Sequence, residues 1–379
     1  MRLMTAEEVI ADRSVPFFCY PDVFARHADQ YLDIIKNIGL RGAYILQDDL
    51  ARFESNLAVF LGAKHSLGVA NATDGLHLAL RAAGLRAGDE VILSSHTMIA
   101  TAAAAHFAGG VPVPVECGSD HLIDPDAIAA AITPRTRFIM PTQLNGRTCR
   151  MDRIQALAER HDLVIVEDAA QALGSRFKGR AAGTFGIAAA ISFYPAKVLG
   201  CLGDGGTVVT SDDSMREKLL QLRDHGRAST GDIVSWGLNS RLDNLQAAIL
   251  DFQLARYGEV MARRRAIAAS YTEYLAEVDE VTLPPAPDSD PDHFDIYQNY
   301  EIEAERRDDL KQFLRDRGIG TLIQWGGQAI HQLKALGFTQ SLPYTDRLFE
   351  RLLMLPMNLS LSDDDVCYIA EQIRRFYGN

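Results

Sequence analysis

Residues 163–206 read LVIVEDAAQALGSRFKGRAAGTFGIAAAISFYPAKVLGCLGDGG. Val164–Val166 is a short β-branched run that ends in Glu167 and Asp168, the pattern of a buried strand in a parallel sheet. Ala188–Phe193 is a second apolar run, and Lys197 follows it between Pro195 and a glycine-rich stretch. Open α/β sheets bind ligands beyond the carboxyl ends of their strands. Asp168 and Lys197 are therefore expected at the rim of a site. Taken singly, each has an ordinary reading: Asp168 as an acidic helix cap, Lys197 as a surface-loop lysine. A lysine desolvated in an apolar, Gly-flanked segment instead loses pKa and can attack a carbonyl.

The same rhythm extends in both directions. Upstream, the runs Val91–Leu93, Val111–Val115 and Phe138–Met140 alternate with helical stretches at 74–85, 98–108, 125–132 and 152–161. Pro112 and Pro114 make Val111–Val115 the weakest strand, because proline donates nothing to a ladder. Residues 47–62 space Leu50, Phe53, Leu57 and Phe60 along one helical face. Downstream come a strand at Thr207–Thr210 and a helical region over about 241–275. The Pro- and Asp-rich segment 281–294 reads as a linker. Beyond it the pattern predicts strands at Gln298–Ile302 and Thr321–Gln324, and helices at 307–317, 343–353 and 363–376. Ser362 with Asp365 opens the last helix as a capping box. The alternation implies an α/β fold with helices on both faces of a sheet. The chain divides into an N-terminal segment plus large α/β domain, 1–255, and a smaller C-terminal α+β domain, 256–379, with a ligand cleft expected between them.

Composition narrows the function classes. The 379 residues carry 47% hydrophobic and 23% charged side chains, ordinary globular values. The net charge of −12, without Lys/Arg clusters, argues against nucleic acid and anionic membrane partners. The five cysteines form no C-x-x-C pair, which suggests reduced thiols and a cytoplasmic setting. The N-terminal stretch holds Glu7, Glu8 and Asp12 and no apolar signal-peptide run. No apolar stretch reaches the roughly 20 residues of a membrane span. No metal site is expected.

An aspartate and a lysine, each following its own strand in this order, meet two needs of pyridoxal 5′-phosphate (PLP): an amine for its aldehyde and an anion at its ring nitrogen. The segments NATDGLHLAL (71–80), AGDEVIL (87–93), VEDAAQALGSRFKGR (166–180), SFYPAKVLGCLGDGG (192–206) and GLNSRLDNLQAAIL (237–250) carry a wider likeness. From about Ile45 to its end, the chain resembles the DegT/DnrJ/StrS group of PLP-dependent nucleotide-sugar aminotransferases, of fold type I. That resemblance implies a mostly parallel seven-stranded sheet between helices, with a smaller C-terminal α+β domain. It implies Lys197 as the Schiff-base lysine and proton carrier, Asp168 as the ring-nitrogen partner, and Gln171 as the contact to the phenolic oxygen. Thr73, Asp74 and Ser192 are implied as phosphate ligands. The first two open a helix, whose free amides and dipole suit an anion. Asn239 is implied as a phosphate contact from a second subunit of a homodimer, although it also suits a helix N-cap.

The resemblance further implies a ping-pong exchange. L-glutamate leaves as 2-oxoglutarate, a pyridoxamine 5′-phosphate form follows, and a nucleotide-linked keto sugar takes the amine. Three segments depart from the group. His96-Thr97-Met98 stands where an aromatic residue usually stacks on the ring, so either Met98 covers it or His96 turns in. Gln143–Arg147 and Gln324-Trp325-Gly326-Gly327 also differ, and His331 lies near a position often His in the group. His96, Asn145, Gln324, Trp325 and His331 are therefore candidate substrate contacts. The departures leave room for a free keto sugar or a cyclitol as acceptor. A sugar dehydratase of the same fold would carry histidine for Lys197. A non-catalytic PLP or sugar sensor is the reading from another class. A nicotinamide enzyme lacks its G-x-G-x-x-G here.

Overall fold

The computed structural model describes residues 13–378. Residues 1–12, most of the stretch read for a signal peptide, lie outside them. Helices α1 (Tyr20–Ala25), α2 (Ala28–Arg41) and α3 (Asp48–Leu61) lead into β1 (His65–Val69) and α4 (Ala72–Ala82). The alternation continues through β2 (Glu90–Ser94), α5 (Ile99–Phe107), β3 (Val111–Val115), α6 (Pro125–Ala131), β4 (Thr136–Met140), α7 (Met151–His161) and β5 (Val164–Asp168). A small hairpin, β6 (Arg176–Phe177) and β7 (Arg180–Ala181), precedes β8 (Ala188–Ser192) and β9 (Gly206–Thr210). Then follow α8 (Asp213–Arg223), α9 (Asn244–Leu254) and α10 (Tyr257–Leu275). The C-terminal part contains β10 (Val281–Thr282), β11 (His293–Phe294), β12 (Tyr300–Ala304), α11 (Arg307–Arg315), α12 (Pro343–Arg351), β13 (Leu352–Leu355) and α13 (Asp363–Tyr377).

The main sheet has seven strands in the order β1-β9-β8-β5-β4-β2-β3. Pairings from β3 through β8 are parallel, while β9 runs antiparallel to both β8 and β1. The α/β expectation holds. The proline-bearing strand β3 forms, and at the sheet edge, where a missing N–H costs little. Strand β1 was not expected from sequence. Its residues HSLGV show no strong pattern, and it forms because β9 offers a pairing edge and Ser66 Oγ meets Thr207 Oγ1 at 2.8 Å.

Several C-terminal expectations need correction. Segment 281–294 is not a free linker, because β10 pairs with β12 and β11 pairs with β6. Thr321–Gln324 is not a strand. It makes one bridge, Leu322 to Met354, and then turns through Trp325 (φ 54°) and Gly326 (φ 66°) in left-handed backbone that a strand cannot hold. The 241–275 helix is two helices, broken where Arg256 leaves helical geometry. The helix expected at 343–353 ends at Arg351, and Leu352–Leu355 pairs with β12 instead. Ser362 and Asp365 do form their capping box on α13.

Cores flank the main sheet. Leu78, Leu80, Val91, Val166 and Val208 pack on one side, and Leu50, Phe53, Phe193 and Leu250 on the other. A further core gathers Ile267, Tyr271, Tyr300, Leu353 and Ile369, with Val15 from the N-terminal segment. Arg264 of α10, buried, donates to the carbonyls of Tyr297, Gln298 and Met357 at 2.8–3.0 Å. Each such charge-assisted bond is worth about 1.5–3 kcal/mol, so the strand entering β12 is firmly fixed. Among the described residues, no helix is long and apolar enough to cross a membrane.

Candidate active site

A cavity of about 800 Å³ opens at the carboxyl ends of β5 and β8. Its wall includes Asp168 at the end of β5, Ser192 at the end of β8, and Lys197 in the turn that follows. The register explains the placement: β5 and β8 pair Asp168 with Ala190, two residues before Ser192. The turn after β8 closes through the Lys197 amide on the Tyr194 carbonyl and the Cys201 amide on the Phe193 carbonyl, both at 2.8 Å. Strand alternation sends Glu167 and Asp168 to opposite faces. Glu167 is buried structurally, accepting the amides of Gly183, Phe185 and Gly186 and the side chain of Gln143. That leaves Asp168 to face the cavity.

The two reactive groups feel each other, Asp168 buried and Lys197 half-buried. Burial raises the Asp168 carboxyl above its usual range. The Thr101 hydroxyl at 2.6 Å, the Ala170 amide at 3.1 Å and the Lys197 charge oppose that rise. Burial brings the Lys197 amine down to about 8, with Asp168 pulling the other way. Thr101 is itself tied to Thr97, which meets Thr142, so a chain of hydroxyls orients the carboxylate. Gln298 brackets the lysine: it accepts the Val198 amide at 2.9 Å and donates to the Ala196 carbonyl at 3.0 Å. Sequence reading missed Thr101 and Gln298. Nothing local marks either one, and Gln298 lies far along the chain from Lys197.

At another part of the wall stand Asn71, Thr73 and Asp74, at the start of α4. Asn71 Oδ1 accepts the Asp74 amide at 2.8 Å. The first-turn amides of Ala72 and Thr73 have no partner inside the helix. Strand β9 approaches this helix start closely: a Cβ at Gly206 would sit 2.6 Å from the Ala72 nitrogen and 2.6 Å from the Asn71 carbonyl carbon. Glycine is required there.

The remaining candidates divide. Met98, Gln171, Gln324 and Trp325 line the cavity with Gln298 and Asn299. Asn145 (φ 54°) lines a neighbouring small cavity and acts as a hub. Its amide donates to Gln171 Oε1 at 3.0 Å, its Nδ2 to Glu301 at 3.0 Å, and its Oδ1 accepts from Asn299 at 2.8 Å and from Gln324. His96 does not turn in to cover a ring. It is wholly buried, edge-on to Phe349, beside His121 and Glu301, because β2 ends with its side chain under the C-terminal part. His331 is also away from the cavity wall, held between Ser95 Oγ at 2.6 Å and Asp346 at 2.9 Å. Asn239 is exposed and does not line this cavity in the single chain.

Comparison with known proteins agrees with this geometry. Residues 29–374 match the model of the DegT/DnrJ/EryC1/StrS aminotransferase family. The dTDP-3-amino-3,4,6-trideoxy-alpha-D-glucose transaminase of Streptomyces venezuelae is 41% identical over 341 residues, 88% of this chain and 89% of that protein. The crystal structure of S. venezuelae DesV in complex with a ketimine intermediate superposes with a TM-score of 0.92 at 38% identity, covering 97% of this chain and 99% of that one. That of ntda from Bacillus subtilis with bound cofactor PMP gives 0.87 at 27% identity, covering 96% and 87%. With the match running over nearly its whole length, and with a lysine and an aspartate lining one cavity, the chain belongs to the DegT/DnrJ/EryC1/StrS aminotransferase family and is an aminotransferase.

Proposed function

We propose that this protein uses pyridoxal 5′-phosphate to move an amino group from L-glutamate to the keto group of a nucleotide-linked sugar, in two half-reactions. The observation that carries the reading is the mutually attracting pair Lys197 and Asp168 lining one cavity, with a helix N-terminus at another part of its wall. The donor set fits the cofactor: an amine for the aldehyde, a carboxylate for a protonated ring nitrogen, and free amides with hydroxyls for a phosphate. Ser192, Thr73 and the first-turn amides would hold the phosphate. Asp74 is the weaker ligand, since its amide is spent on Asn71 and its carboxylate repels an anion. Gln171 would meet the phenolic oxygen, and Met98 would lie against the ring in place of an aromatic side chain. When bound, the cofactor supplies an electrophilic carbon and an electron sink.

The chain's own residues do the rest. Lys197 Nζ, near a pKa of about 8, can take and return a proton close to neutral pH. Asp168 keeps its charge facing the ring position through the Thr101 hydroxyl. The carboxamides of Gln171, Gln298, Asn299 and Gln324 give the cavity a neutral, hydroxyl-matching wall that suits a sugar. Among the described residues lining it, Lys197 is the single cation. The carboxylates of glutamate and the diphosphate of a nucleotide therefore need positive charge from elsewhere. This supports a homodimer in which a second copy, with Asn239, completes the site.

The test is the half-reaction. PLP-loaded protein mixed with L-glutamate should release 2-oxoglutarate and then aminate a nucleotide-linked 3- or 4-keto sugar, and Lys197→Ala protein should do neither. Turnover of free keto sugars or cyclitols alone would replace the acceptor in this reading. Cofactor binding without any half-reaction would make the protein a sensor and refute the reading.

A further inference from the structure

Behind the amide wall of the active site lies a second cluster that the aminotransferase chemistry does not use. His96, at the turn after β2, is 0% exposed, and Glu301, on β12, is 1% exposed. His121 sits in a left-handed turn (φ 65°) with its Nδ1 2.9 Å from Glu301 Oε1. His96 Nε2 is 3.7 Å from the same oxygen. One ligand-type atom from each residue falls within 4.8 Å of the others. We propose that His96, His121 and Glu301 bind one divalent transition-metal ion of the zinc type.

Three observations carry this. First, both ring nitrogens of His96 and Glu301 Oε2 are buried and lack any hydrogen-bond partner. Leaving such groups unmet is costly, and an ion between the three side chains would take one ring nitrogen of His96 and one oxygen of Glu301. Second, ligand atoms about 2.0–2.2 Å from a tetrahedral ion lie about 3.4 Å apart. The 3.7 Å separation already suits that, and the 2.9 Å contact needs only a small opening. Third, the outer contacts are those a metal-ligating set uses. His121 Nε2 faces Glu303 Oε1 at 3.4 Å, the carboxylate that would back a ligating ring, and Asn145 Nδ2 donates to Glu301 Oε1 at 3.0 Å; a metal at Nδ1 would displace the proton that His121 shares with Glu301. A cavity of about 40 Å³ borders His121, Glu301, Asn145 and Asp120, enough for a water as fourth ligand. The set of two histidines and one glutamate is borderline-soft and favours zinc over magnesium or calcium.

The site also has a route to the reaction centre. The ion would fix Glu301, Glu301 holds Asn145, and the Asn145 amide holds Gln171. Glu301 and Asn145 are thus positioning residues for Gln171.

The test uses the full-length, PLP-loaded protein after chelator treatment and desalting. Titration with Co²⁺ should develop the intense visible bands of a low-symmetry, four- or five-coordinate ion. Zn²⁺ should bleach them, and mass spectrometry should find about one zinc per chain retained after desalting. The near-isosteric Glu301→Gln variant, if folded by circular dichroism, should retain at least tenfold less metal. Absence of the Co²⁺ bands together with substoichiometric zinc in the wild-type protein overturns the proposal without recourse to any variant. Full zinc retention by folded Glu301→Gln protein overturns it as well.

Discussion

Replacing Asp168 with asparagine separates the two roles the site assigns to one charge. The Asp168→Asn variant would keep the side-chain shape and an acceptor for the Thr101 hydroxyl, but would lose the anion that Lys197 faces. Lys197 rests at about 8 because burial lowers it while Asp168 raises it. An opposite charge at close range is worth about 1–3 pKa units, so the variant's amine should titrate between about 5 and 7. At pH 7 the neutral fraction of Lys197 would rise from about a tenth to half or more. The assay is acylation of the apoprotein by a small amine reagent across pH, with the Lys197 peptide quantified by mass spectrometry. The reactivity midpoint should fall by at least about one unit, while transamination drops about 100-fold or more through loss of a preorganised charge. A better nucleophile and a worse enzyme should thus appear together. A midpoint that stays at the wild-type pH, or rises, refutes the electrostatic account. Transamination surviving within about threefold refutes the role given to Asp168.

Lys197→Gln should stabilise the cofactor-free protein at pH 7 by up to about 3 kcal/mol, because the buried ammonium is costly there. The folded pKa lies below the unfolded one, so the wild-type deficit is fully present below about pH 8 and vanishes as pH rises past 10.5. Urea unfolding at pH 7 and again above the unfolded pKa should show the gap closing, and a constant gap contradicts the reasoning. Gln298→Ala removes both bonds that bracket Lys197 and should cost about 1–3 kcal/mol, with a matching loss of cofactor retention on dialysis. An unchanged denaturation midpoint would mean that the clamp adds nothing to stability. Gly206→Ala should weaken PLP phosphate binding by about tenfold or more, since the added methyl meets the helix start at 2.6 Å. Fluorescence titration with PLP measures it, and wild-type affinity would show that the α4 amides are not the cradle.

Much of the main sheet was legible because its strands are buried on both faces and read as short apolar runs. What failed were segments whose structure depends on distant partners. His65–Val69 became a strand because β9 lay beside it, and 281–294 became two short strands because β12 and β6 did. Met98 and His96 were equivalent candidates two positions apart. The structure sends one to the cavity and buries the other beside Glu301, since the chain reverses direction between β2 and α5. His331 looked like a substrate contact and is a buried link from Ser95 to Asp346.

The sequence by itself determined the alternating α/β order and placed a carboxylate and an amine each just past a strand, because strand burial and the strand-end rule are local and periodic properties. Only the tertiary structure decided that Thr101 and Gln298 hold those two groups. It alone brought His96, His121 and Glu301 to one buried point, although His121 and Glu301 stand 180 positions apart. Contacts across such separations are fixed by how elements pack, and no spacing along the chain records them.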